Sequence, residues 1–195
     1  MNPLSIVLGA VALLVIALVL SFNRFISQRN LVRESWANVD TELKRRYDLI
    51  PNLVATVKGY AAHEASVLQA VTTARAAAAA TSGPAEAQAP AEQAFVSSLR
   101  QLWAVAENYP DLKASDQFLA LQRELTTTED RIQLARRFYN GNVRDLNRRV
   151  DSFPSNLMAS VMGVTKAQYF EVEPAVRVAP SASFGPPDGD PGAER

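Results

Sequence analysis

Few residues in this chain are equipped for chemistry, and their types narrow the options before any fold is considered. Cysteine is absent and there is one histidine, His63. Disulfides, thiolate nucleophiles, thiolate-held metals and lipoprotein-type acylation are therefore excluded. His63-Glu64 invites a metal or proton-transfer reading. A carboxylate metal site in a helical bundle draws a Glu-x-x-His from each of two helices, and one histidine cannot supply both. A solvated or capping His63 is the simpler reading. Glu129-Asp130 offers a carboxylate pair for acid–base work, but neighbours on a helix diverge by about 100° and need other helices to bring them together. A carboxylate enzyme would also have to draw Asp48 into the same cleft. We expect no catalytic, cofactor-binding or metal-ligating residues, no cofactor, and no enzyme.

Three basic clusters, Lys44-Arg45-Arg46, Arg136-Arg137 and Arg148-Arg149, have the charge to grip phosphates. Near an anionic membrane surface each basic group would gain about 1 kcal/mol. Glu42, Asp48, Asp145 and Asp151 are interleaved with them, however, and pairing on a solvated helix face is the preferred reading, with Glu42 placed to meet Arg46 four residues on. Twenty basic residues balance twenty acidic ones, so no overall field draws in nucleic acid. Asp48, Asn52, Glu129, Arg131, Asn140 and Asn142 are polar residues inside otherwise patterned stretches. They either line a partner groove or a buried polar network, or set the register of the helices; register is preferred.

The elements that position these residues begin with a membrane anchor. Leu4 to Phe22 carries no charge, and its length at 1.5 Å per residue is about 28 Å, enough to cross a hydrocarbon core. A cleaved signal peptide would want a basic residue before the run and small residues after it; neither is present. The anchor, residues 1–25, meets the lipid bilayer through residues 4–22. Arg24, Arg29, Arg33 and Lys44-Arg45-Arg46 all follow it, so the positive-inside bias puts the N-terminus outside and the remainder in the cytoplasm. The expected location is a bacterial inner membrane, crossed once.

Apolar residues then recur at helical spacing from Trp36 through Val39, Leu43, Tyr47, Ile50, Val54, Val57, Ala61 and Leu68 to Val71. Their phase passes through Pro51 unshifted, which predicts a kinked but continuous helix, running on to Ala80. Residues 81–90, small and proline-punctuated, form the distal loop. A second helix carries Phe95, Leu99, Leu102, Ala106 and Tyr109, with Trp103 beside the seam, and stops at Tyr109-Pro110. Ser115 caps a third helix with its hydroxyl, in which Phe118, Leu125, Ile132, Tyr139, Leu146 and Phe153 fall seven apart. Thr128, Asn142 and Arg149 interrupt the complementary register. Phe153-Pro154 breaks that helix, and a short apolar helix over Ser155 to Met162 follows; it either docks on the bundle end, the preferred reading, or receives a second copy or partner, and Tyr169 to Glu173 lies extended along the bundle. The fold class is all-α, an antiparallel bundle of long helices over residues 26–173, with residues 174–195 a disordered Pro/Gly-rich tail.

Several of these stretches resemble the LemA family. They are Arg45-Arg46-Tyr47-Asp48-Leu49-Ile50-Pro51-Asn52-Leu53, Val57-Lys58-Gly59-Tyr60, Ala74-Arg75, Tyr109-Pro110-Asp111-Leu112-Lys113 and Glu129-Asp130-Arg131-Ile132. Ala135-Arg136-Arg137-Phe138-Tyr139-Asn140 and Phe153-Pro154-Ser155-Asn156 complete the set, in order, from the anchor to about Glu173. The resemblance implies an N-terminal anchor followed by long bundled helices, and it implies no established catalytic activity, cofactor or substrate. The expected function is that of a membrane-anchored helical scaffold that binds protein partners or itself. The alternatives are a membrane-linked sensor with Pro51 as its moving part, and a carboxylate-dependent enzyme.

Overall fold

The computed structural model describes residues 2–173 and Ala175. Among them are six helices and no strand: α1 (Pro3–Tyr60), α2 (Ala65–Ala80), α3 (Ala85–Glu107), α4 (Pro110–Lys113), α5 (Asp116–Asp151) and α6 (Ser155–Val161). The all-α bundle expected from periodicity is what forms. The tail expectation falls, Ala175 apart, outside the described residues.

The 58 residues of α1 extend for about 87 Å. Its first eighteen residues are exposed and strongly apolar, with a mean hydropathy of 2.9 in the most apolar window. The remainder is amphipathic and buries Val39, Leu43, Ile50, Leu53 and Val57 to 1% exposure or less. Pro51 lies inside the helix on an exposed position, so the helix runs through it as the unshifted phase implied. Proline has no amide proton, and the carbonyl it leaves without a helical donor is that of Tyr47, four residues back. Arg75 of α2 fills the vacancy: its Nε donates to the Tyr47 carbonyl oxygen at 2.7 Å.

The helix does not continue to Ala80. It ends at Tyr60, where Gly59 weakens the last turn by about 1 kcal/mol relative to alanine, and Ala61 to Glu64 reverse the chain. Both sides of this reversal bury apolar residues in the same core, Val57 before it and Leu68 and Val71 after it. Periodicity cannot register a turn that falls between two such stretches, which is why one helix was expected where two form. The reversal relocates the loop at residues 81–84. It is not distal; it returns to the end nearest the exposed apolar run of α1, where Trp36 Nε1 donates to the Gly83 carbonyl at 2.9 Å. Gly83 has φ of 126°, a conformation other residues rarely adopt. Helix α3 starts at Ala85 and includes Pro90, so the loop is shorter than the proline spacing suggested.

The four long helices therefore alternate up, down, up and down, with α5 packed along α1 and α2 between α1 and α3. In α5, Phe118, Leu125, Ile132, Tyr139 and Leu146 are all buried. Phe153, the next in that sevenfold series, is instead 80% exposed beyond the helix end. Ser115 occupies the N-cap position but makes no side-chain capping bond; its carbonyl accepts from the Leu119 amide instead. Helix α6 docks on that same end, where Ala159 joins Phe25, Leu146 and Val164 in a small satellite core.

Candidate functional site

The polar residues that come together do so inside the bundle. Arg46 is 2% exposed, and its side chain lies between two carboxylates: Glu92 of α3, with which it makes a close ion pair, and Glu129 of α5, reached by Nη1 at 3.0 Å. Tyr47 donates its hydroxyl to the other oxygen of Glu92. The Arg46 guanidinium also sits over the Phe95 ring at 5.3 Å, and Tyr47 meets the same ring edge-on at 5.7 Å. Burial raises the Glu92 carboxyl above its ordinary range; Glu129 adds to that, while Arg46 and the Tyr47 hydroxyl oppose it. Burial, reinforced by Glu92, likewise raises the Tyr47 phenol.

This arrangement ties three helices together at one height. The neighbouring void is about 10 Å³, bounded by Leu43, Ile132, Phe170 and the network itself, at most the space of one water. A buried carboxyl of raised proton affinity is an ingredient of acid–base chemistry; the void beside it has room for no more than a water. The geometry suits registration: the ion pairs of Arg46 close in one alignment of the helices, and a slipped alignment would leave a bare charge buried.

A second arrangement borders the first. Residues 164–173 run as an extended strap along α5, held through its backbone. Asn147 binds the amide and carbonyl of Ala167 at 2.8 and 2.9 Å, and Asn140 those of Phe170 at 2.9 and 3.2 Å. The Tyr139 hydroxyl donates to the Gln168 carbonyl at 2.9 Å, Arg136 donates to that of Val172, and Glu129 accepts from the Ala175 amide at 3.3 Å. The spacing follows from elementary geometry: from Asn147 to Glu129 the helix rises about 27 Å, and from Ala167 to Ala175 an extended chain spans about 26 Å. On the other side Glu173 pairs with Arg100 of α3 at 2.8 Å. Trp36 closes the packing against Tyr139 and Phe170, ring centres 5.2 and 5.1 Å away. Two surface clefts flank the strap. One of about 590 Å³ is lined by Arg136, Arg137, Arg144 and strap residues. The other, of about 350 Å³, lies toward the apolar run of α1 among Arg29, Arg33, Trp36, Glu86 and Lys166.

The candidates singled out by residue type are thus divided. His63 is exposed, and among the described residues no three metal-binding side chains stand together. Asp48, Asn52, Asp130 and Arg131 are exposed, while Glu129 is buried and Asn140 half-buried; Glu129, Asp130 and Asp48 do not converge. Arg46 is no part of a solvated basic face, and Glu42 pairs with Arg45 at 3.6 Å rather than with Arg46. Asp145 pairs with Arg148 at 3.5 Å, on the solvated face expected of it. Glu92, Arg75 and Asn147 were missed. A signal existed for two of the network's members: Arg46 lies seven from both Val39 and Leu53, and Glu92 seven from Leu99, so each interrupts an apolar seam. Nothing local marks Arg75, whose role is set by a proline on another helix.

Comparison with known proteins gives the chain relatives. The sequence model of the LemA family matches residues 35–184, past the boundary expected at 173. The chain is 26% identical over 194 residues to magnetosome proteins MamQ 1 and MamQ 2 of Paramagnetospirillum magneticum (strain AMB-1), covering 87% of this chain and 71% of each relative. It is 23% identical over 203 residues to magnetosome protein MamQ of Magnetospirillum gryphiswaldense, covering 89% and 75%.

Proposed function

The chain belongs to the LemA family, and from that premise we propose that it is a membrane-anchored helical platform, standing in a bacterial inner membrane and offering its bundle surface to protein partners or to further copies of itself. The observation that carries this reading is the continuity of α1. One unbroken helix passes from the charge-free stretch into the bundle core with no linker between, so the bundle is carried rigidly on α1, its far end about 57 Å beyond Phe22, rather than swinging on a tether. Its outer surface supports the reading too: Leu134 and Phe138, one turn apart on α5, are 63% and 58% exposed.

The N-terminus faces outside and the bundle the cytoplasm. Arg24, Arg29 and Arg33 favour this orientation, and the return of α5 brings Arg148 and Arg149 to the same end. The buried triad, sealed by its neighbours, supports a structural rather than a catalytic use of the charged residues. The sensor alternative needs Pro51 as a moving part, and the bond from Arg75 to the Tyr47 carbonyl favours a static joint there. Photo-crosslinking from positions 134 and 138 in intact cells, with native mass spectrometry of the extracted protein, tests the proposal. A discrete cross-linked neighbour or a defined oligomer is expected. A single-protomer mass together with no discrete adduct would overturn it.

A further inference from the structure

One apolar surface of the chain is left unused by the bundle. Ser152 to Thr165 contains no charged residue, yet Phe153, Leu157 and Val161 are 80%, 61% and 83% exposed. Leu157 and Val161 share a face of α6; Met158, Ala159 and Met162 fall on the other side, which packs on Phe25 and Leu146. The height of this lobe follows from the antiparallel pairing of α1 and α5. Arg46 meets Glu129, Trp36 meets Tyr139 and Gln28 meets Asn142. Continued at the same rise, that register sets Asp151 opposite roughly residues 19–24, the end of the charge-free run. Phe25, on which Ala159 rests, is about 4.5 Å of helix beyond Phe22. The polar layer on each side of a bilayer is about 5–7 Å deep, so the lobe lies at the membrane surface wherever α1 crosses it.

We infer that the Ser152–Thr165 lobe is a second membrane contact, in which Phe153, Leu157 and Val161 enter the interfacial layer of the bilayer beside the anchor. The inference rests on the anchor reading proposed above. Its chemistry suits that layer. The charges that bracket the lobe neutralise each other, Lys166 pairing with Asp151 at 2.8 Å. Arg24, Arg148 and Arg149 lie at the height of lipid phosphates, and their long stems let the guanidinium groups reach them. A single spanning helix is free to rotate and tilt. A second contact off its axis removes that freedom and fixes which side of the bundle leans toward the membrane.

The absence of cysteine makes the test clean. Single-cysteine full-length variants Leu157→Cys, Leu13→Cys and Lys58→Cys are labelled with an environment-sensitive fluorophore and reconstituted in phosphatidylcholine–phosphatidylglycerol vesicles. Each is quenched in turn by lipids brominated on their tails and by aqueous iodide. We expect bromolipid quenching at 13 and 157, shallower at 157, with iodide quenching at 157 several-fold below that at 58. Iodide access at 157 with no bromolipid quenching there, while 13 is quenched, overturns this inference and leaves the anchor standing. Protection at 157 from both quenchers means that protein covers the face, and overturns it equally. Loss of bromolipid quenching at position 13 refutes the anchor and the inference together.

Discussion

Arg75→Met tests whether a side chain from one helix repairs a defect in another. The substitution keeps most of the aliphatic stem but removes the guanidinium that donates to the Tyr47 carbonyl, a half-buried group that Pro51 cannot serve. Leaving such a group unpaired costs about 1–3 kcal/mol. In a Pro51→Ala background the amide of residue 51 is restored to that carbonyl, and the same Arg75→Met change should cost less than about 0.5 kcal/mol, as for an ordinary surface substitution. The difference is a coupling of roughly 0.5–3 kcal/mol. Pro51→Ala alone should stabilise, since an interior helical proline costs about 3 kcal/mol relative to alanine. The assay is chemical denaturation of the four full-length proteins in detergent micelles, followed by the fluorescence of Trp36 and Trp103 and by far-ultraviolet circular dichroism. Thermal midpoints provide a check, at about 2–4 °C per kcal/mol for a domain of this size. If Arg75→Met costs the same in both backgrounds, the guanidinium is not repairing the proline site and the reasoning fails.

Arg46→Met leaves Glu92 and Glu129 buried without their cation and should destabilise by about 3–5 kcal/mol, whereas the triple variant Arg46→Met, Glu92→Leu, Glu129→Leu should recover most of that loss in the same denaturation assay. Because Glu92 has a raised proton affinity in the fold, its contribution to stability is greatest at acid pH and declines as pH rises from its ordinary value of 4.5 through its raised one. Glu92→Gln should flatten that decline in a series of denaturation curves between pH 4 and 8; an unchanged slope would assign the pH dependence elsewhere. Asn140→Ala removes both bonds to Phe170 and should release the strap locally, read as faster amide exchange at residues 167–173 with the exchange of α1 unaltered.

The charge-free apolar run, most of the helices and most of the core were decided by the sequence alone. A charge-free stretch of membrane length, apolar residues at helical spacing and a sevenfold series in α5 are local patterns, and local patterns are set by backbone geometry that every helix shares. Of the extended strap only Tyr169 to Glu173 was legible; that it begins at Val164, straight after the helix-ending Gly163, was not. Tertiary structure decided the rest. Where α1 turns into α2 was invisible because the apolar seam resumes in phase on the far side, and that single turn moved the loop at 81–84 from one end of the molecule to the other. The partners of Arg46 lie on helices that meet only after folding: a sequence reveals that a charge interrupts a seam, not which opposite charge will face it. The same holds for Arg75, which acquires a role only when the bundle brings it to the carbonyl that Pro51 left bare, and for Phe153, whose place in the sevenfold series is cancelled by the end of the helix that should have carried it.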